Sequence, residues 1–295
     1  MDVIVTPNRQ KMTRYKVCNP ATTITVVVAI FFLLSLPGRS LAQVSISPTS
    51  VFLGEQSPFA NVIISNGADQ AQEVSIRFDF GYSVSDEDGT ISMRYTDEDH
   101  ERSLTDHVNA FPRNFLLEPG ERQTVRMAVR GLTQGDDGTY WARARILASP
   151  MSPPAEETGD EGVAARININ FEQVIPVFYR KGDSGTGIRI RNADFTQQDA
   201  DEGYFLVDLE REGNSPFVGS LQTVIRNRDG EQVLEQNTNL SIYYDMKRRI
   251  SLNIEELSPG DYTAEFTIRS ERSDIASRQL LQIRPVETAQ NFRIE

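Results

Sequence analysis

From residue 44 onward, apolar side chains recur at every second position in short runs, and no stretch carries the 3.6-residue period of an amphipathic helix. Period two marks a strand with one buried face, because successive side chains point to opposite sides. Val44-Ser45-Ile46-Ser47, Val62-Ile63-Ile64-Ser65, Val74 to Phe78, Gln123 to Met127 and Tyr140 to Ile146 read as strands. Asn66-Gly67, Asp88-Gly89, Pro119-Gly120 and Asp137-Gly138 divide them as turns. Residues 149 to 164, rich in Pro, Gly and acid, sustain neither regular pattern and read as a loop. The longest alternation follows, from Ala165 to Tyr179, and ends in the polar stretch Arg180 to Gly185, a hinge.

A second series of strands is expected near 187–192, 203–210, 219–226, 231–236, 240–244, 248–254, 261–268 and 276–284, with Asp229-Gly230 as a two-residue hairpin turn. Many short strands at this spacing predict an all-β chain of two immunoglobulin-like β-sandwich domains, 43–181 and 182–295. Leu257-Ser258-Pro259-Gly260-Asp261-Tyr262 has the form of a tyrosine corner, a turn closed by a phenol bonding back upstream. Asp136-Asp137-Gly138-Thr139-Tyr140 repeats the form in the first domain.

Residues 1–42 read as an export address. Arg9, Lys11, Arg14 and Lys16 precede a 16-residue apolar run from Ala21 to Leu36, then Pro37, Gly38 and Ser40-Leu41-Ala42. That is the layout of a cleaved signal peptide, with Gln43 as the new first residue. The run is shorter than the roughly 18–20 residues that span hydrocarbon, and an uncleaved anchor is the alternative. Cys18, the single cysteine, leaves with the leader, so the mature chain has no disulfide, thiol nucleophile or thiolate ligand. Five basic residues and one acidic residue leave as well, moving the formal charge from −12 to −16. Such an acidic chain is a poor partner for nucleic acid or anionic lipid, and no membrane insertion of the mature chain is expected.

Catalytic and metal chemistry is thinly represented. His100 and His107 are the only histidines, both in an acidic stretch, and a solvated loop is expected there rather than a zinc site. No Gly-x-Ser-x-Gly elbow presents a serine, and no Gly-rich phosphate loop leads into a helix. Asp86 to Ile91 resembles the middle of a calcium loop, but Val84 and Tyr95 stand where its end ligands belong, so a turn is expected. Asp97-Glu98-Asp99 and Glu156-Glu157 read as solvated charge. No enzyme activity, metal or cofactor is expected.

An ordered set of short motifs carries a family resemblance. Ile46-Ser47-Pro48-Thr49 leads into Val51-Phe52; then come Val62 to Asn66, Phe111-Pro112, Leu117-Glu118-Pro119-Gly120, Val125-Arg126-Met127 and Tyr140-Trp141. The set ends with Ile175-Pro176-Val177-Phe178-Tyr179-Arg180. Over residues 44 to 181 this resembles the PapD-like periplasmic pilus and fimbrial assembly chaperones; the second domain shows only general sandwich features. The resemblance implies a chaperone that holds an exported β-rich subunit lacking one strand, lends it an edge strand, and passes it to an outer-membrane usher. It also implies a cationic pair that grips the subunit's terminal carboxylate. Here the aligned positions are Ser50 and Pro176, neither charged, which leaves strand addition alone, Arg180 and Lys181 as a replacement anion anchor, or a lost clamp function.

The residues support strand donation on their own account. Ile167, Ile169 and Phe171 project to one face and Arg166, Asn168, Asn170 and Glu172 to the other. An edge strand with three large apolar groups aggregates unless a partner covers it, and each group buried contributes about 1.5–3 kcal/mol. Two alternatives stay open: the apolar face points into the domain's own core, or the chain is a structural or adhesive two-sandwich protein that caps nothing.

Overall fold

The computed structural model describes residues 44–96, 100–151 and 169–295. The expected signal peptide, most of the expected loop at 149–164, the Asp97-Glu98-Asp99 run and Ile167 lie outside the described residues. The first series of strands is β1 (Val44–Ser47), β2 (Val51–Gly54), β3 (Phe59–Asn66), β4 (Gln72–Asp79), β5 (Gly81–Ser85), β6 (Ile91–Tyr95), β7 (Val108–Phe111), β8 (Asn114–Leu117), β9 (Arg122–Val129), β10 (Gly138–Pro150) and β11 (Phe171–Lys181). One sheet has the order β1-β3-β9-β7 and the facing sheet β2-β11-β10-β4-β8, while β5 and β6 pair as a separate hairpin. Alternation does what the sequence predicts. Val62, Ile64, Val125 and Met127 of one sheet meet Val74, Ile76, Ala144, Ile146, Ile175 and Val177 of the other in one core.

The second series is β12 (Thr186–Gln197), β13 (Glu202–Gly213), β14 (Phe217–Arg226), β15 (Gln232–Ile242), β16 (Met246–Asn253), β17 (Gly260–Arg269) and β18 (Val286–Ile294). Sheets β12-β13-β16 and β15-β14-β17-β18 enclose a separate core. Phe205 sits at its centre, edge-on to Phe266 and Phe292 at 5.1 Å each. The expected strand pair 231–236 and 240–244 is one strand, β15. The expected strand at 276–284 does not form: Ser277–Gln279 is a 3₁₀ turn, and the last strand is β18. Ile275 and Leu280 leave the ladder there because they pack on the first sandwich. The β14–β15 connection is also longer than a two-residue turn. Asn227 N–H donates to Glu231 O at 3.0 Å, and Asn227 Oδ1 accepts from Asp229 and Glu231 N–H, giving a three-residue loop with Gly230 at φ +82°.

Between the sandwiches lies an aromatic wall. Phe80, Trp141 and Phe178 from the first meet Val218, Tyr243, Ile275 and Leu280 from the second. Trp141 is 5.0 Å from Tyr243 and Phe178 stacks on the same ring at 6.1 Å. His100, expected in a solvated loop, stacks on Phe80 at 4.6 Å and its Nε2 lies 3.0 Å from the Tyr244 hydroxyl. Burying a flat heteroaromatic ring against that wall outweighs solvation of the loop. The covalent hinge runs from Lys181 to Thr186, where Gly182 takes φ +55° and Asp137 Oδ1 lies 2.0 Å from where a Cβ would stand. The left-handed backbone at that position favours glycine. Among the described residues no helix is long and apolar enough to cross a membrane.

Candidate functional site

β11 pairs antiparallel with β10 along its whole length, from Phe171 opposite Ala148 to Lys181 opposite Gly138. Its other edge is only partly taken. β2 pairs with it in parallel from Val177 to Arg180 and no further. Phe171 to Pro176 therefore have no strand neighbour on that side among the described residues. This slot is about 20 Å long at 3.3 Å per residue, lies in line with β2, and among the described residues has backbone N–H and C=O groups with no ladder partner on that side. Pro176 explains where it ends. A proline is tolerated in a strand only where no ladder partner needs its N–H, so that position faces outward from β10. Val174 and Glu172, two and four residues upstream, face the same way by alternation.

The side chains divide the strand into two halves. Ile175, Val177 and Tyr179 are buried in the first core and Phe171 packs half-buried against its end. Ile169, of the same parity but beyond the core, is 60% exposed. On the opposite face Val174 is 36% exposed, an apolar side chain between Glu172 and Pro176. The downstream half of β11 thus anchors the upstream half, which points no large apolar group into its own sandwich beyond Phe171.

An ion network keeps the upstream half flat on β10. Arg145 Nη2 lies 2.5 Å from Glu172 Oε2 and its Nη1 lies 3.2 Å from Asp79 Oδ2, with Arg77 3.5 Å from Glu172 Oε1. The hydrogen bond from Arg145 holds the Glu172 carboxyl below its usual pKa, and the same contact raises that of Arg145. Tyr95 covers the guanidinium at 5.5 Å.

The residues considered for an anion anchor are engaged elsewhere. Arg180 Nη2 donates to Gln279 O and its guanidinium lies 5.6 Å from the Phe52 ring, a contact between the two sandwiches. Burial holds its pKa below the ordinary guanidinium value. Lys181 Nζ donates to Gly135 O. Ser50 is buried at the start of β2, and the cation nearest to Pro176 in the ladder is its partner Arg143. Arg143 is itself buried, donating from Nε to Gly81 O at 3.0 Å with its guanidinium 5.0 Å from the Tyr243 ring. Asp86 to Thr90, the calcium-loop look-alike, forms the β5–β6 turn: Asp86 Oδ1 accepts from Asp88 and Thr90 N–H at 3.0 and 2.8 Å.

A separate apolar patch lies on the outer face of the β1-β3-β9-β7 sheet. Phe111 is 79% exposed, and Phe59 and Ile63 are about half exposed, with the Arg126 guanidinium 3.8 Å from the Phe59 ring.

No protein-family model matches the chain, and no curated protein matches it. Among solved structures it is similar to a chain of the complex between the SafA pilin and the SafB chaperone of Salmonella enterica, at 13% identity and TM-score 0.41, covering 86% of this chain and 99% of that one. It is similar to a chain of the CsuC–CsuE chaperone and tip adhesion subunit complex of Acinetobacter baumannii, at 12% identity and TM-score 0.42, covering 83% and 98%. The E. coli chaperone DraB overlaps at 11% identity and TM-score 0.38, covering 86% and 98%.

Proposed function

We propose that the chain is an exported, periplasmic assembly chaperone of the PapD-like kind, which caps a β-rich pilus-type or fimbrial subunit by adding the upstream half of β11 to the subunit's open sheet. The observation that carries this reading is the slot at Phe171 to Pro176: among the described residues these positions have no strand neighbour on the β2 side, while Ile175, Val177 and Tyr179 fasten the same strand into a core. Strand addition draws its affinity from main-chain hydrogen bonds and its specificity from alternate side chains. Ile169 and Phe171 supply those side chains, and Ile167 extends the same parity. The role is one of binding, without catalysis or cofactor. With Arg180 and Lys181 engaged in contacts of their own, the grip is assigned to strand addition rather than to a charge clamp.

The test is co-expression with an exported β-rich subunit and recovery of the complex. Ile169→Asp is expected to abolish co-purification while the chain keeps its thermal transition. Unfolding of that variant, or an undiminished complex, defeats the reading. A structural or adhesive role without capping is the second reading, favoured by the Phe59, Ile63 and Phe111 patch; it predicts that Phe111→Asp, and not Ile169→Asp, removes the binding activity.

A further inference from the structure

The β5–β6 hairpin belongs to neither sandwich sheet, yet it touches both halves of the molecule. Its root stands on the first sandwich. Arg143 Nε donates to Gly81 O, Thr96 N–H donates to Phe80 O at 3.2 Å, and Tyr95 lies over Arg145. Its tip stands on the second. Ser83 Oγ donates to Ser241 O at 2.8 Å, Lys247 N–H donates to Ser85 Oγ at 2.8 Å, and Arg249 N–H donates to Gly89 O at 3.2 Å. Ile91 packs on the second core, and Glu87 lies 3.8 Å from Lys247 Nζ.

The contacts to Lys247 and Arg249 fall on an outer strand, whereas Ser241 lies on β15. β16 is the edge of the β12-β13-β16 sheet, and Lys247 and Arg249 are alternate residues on it, so their N–H groups point the same way, out of the sheet. An open edge of this sort is a site for unwanted pairing, and the hairpin covers it. Gly89 makes the approach feasible. At φ +75° a Cβ there would stand 2.6 Å from Arg249 N and 2.7 Å from Leu206 Cδ1, so only glycine brings the tip this close. The tip is also pre-shaped, because Asp86 satisfies the turn without help from the second sandwich.

Two sandwiches joined by a single short linker are expected to move relative to one another. Here the chain crosses between them at the Lys181–Thr186 hinge, and the hairpin crosses again and is bonded on arrival. We propose that the β5–β6 hairpin is a strap that locks the angle between the two sandwiches, holding the cleft between them in one geometry. The strap goes beyond the chaperone reading and stands whether or not β11 captures a guest.

The test uses the mature chain with spin labels at T124C and E287C, both exposed positions, in a protein whose only native cysteine is Cys18 in the leader. Gly89→Val is expected to undock the tip. Amide exchange at Lys247 and Arg249 should rise about ten-fold or more. The label-to-label distance distribution should broaden, and emission from Trp141, the only tryptophan, should shift to the red while core amides such as Val62 and Phe266 keep their protection. A distribution as narrow as the parent's, with the two edge amides exposed, overturns the proposal and assigns the angle to the aromatic wall alone. If Gly89→Val re-seats its tip or fails to fold, replacement of Ser83 to Met93 by a two-glycine turn removes the strap outright, and a narrow distribution in that variant overturns the proposal equally.

Discussion

Two phenol groups close equivalent turns in the two sandwiches. Tyr140 Oη donates to Asp136 O at 2.9 Å and Tyr262 Oη donates to Ser258 O at 2.6 Å, each four residues upstream. Each bond fastens a turn to the strand that follows it, so Tyr140→Phe and Tyr262→Phe should each cost about 1 kcal/mol in urea unfolding. Losses well below that would mean the turns hold without the hydroxyl. Tyr244 makes a second residue-level test. Burial pushes its phenol up to about 12, against 10.0 for the free group. The folded form retains that proton while the unfolded form loses it, so the associated stability is complete below pH 10 and is lost as pH rises toward 12. Tyr244→Phe should reduce the slope of the stability profile across that window and remove one late phenolate transition from the ultraviolet titration.

β11 and the residues that lead into it have two energetic characters. Ile175 is buried and Ile169 exposed, so Ile175→Ala should cost about 2–5 kcal/mol whereas Ile169→Ala should fall within about 0.5 kcal/mol. Chemical denaturation of the two variants measures the difference directly. The outer edge allows a sharper test of strand addition. If Glu172 and Val174 direct their N–H groups away from β10, Val174→Pro removes a donor that only a guest uses. That variant should stay folded and lose guest binding; a collapse of stability would place the Val174 N–H in the β10 ladder. The ion network of Arg145, Glu172 and Asp79 ties this half to its neighbouring strands, so under the proposed strand addition little ordering cost falls on it.

The two sandwiches share an interface as well as a linker. Trp141, Phe178 and Tyr243 form its centre, with Arg143 lying over Tyr243. An apolar contact of this depth couples the unfolding of its two sides. The parent chain should therefore melt in one calorimetric transition, and Tyr243→Ala, which empties the middle of the wall, should split it into two. A parent chain that already melts in two steps would show that the wall contributes little coupling.

Local sequence determined that the chain is all-β, which face of each strand carries its apolar side chains and where both tyrosine corners lie, because these depend on side chains two or four positions apart. Tertiary structure decided the rest. Ile167, Ile169 and Phe171 share a parity with Ile175 and Val177, and nothing local separates a side chain that reaches the opposite sheet from one that passes its end. The open length of β11 is set by where β2 stops, a strand more than a hundred residues earlier in the chain. Arg180 reads as a free cation until Gln279 and Phe52 are brought beside it, and residues 276–284 read as a strand until Leu280 is drawn to the other sandwich. Periodicity reports which face of a strand is buried; only the packed sheets determine which edge is left without a neighbour.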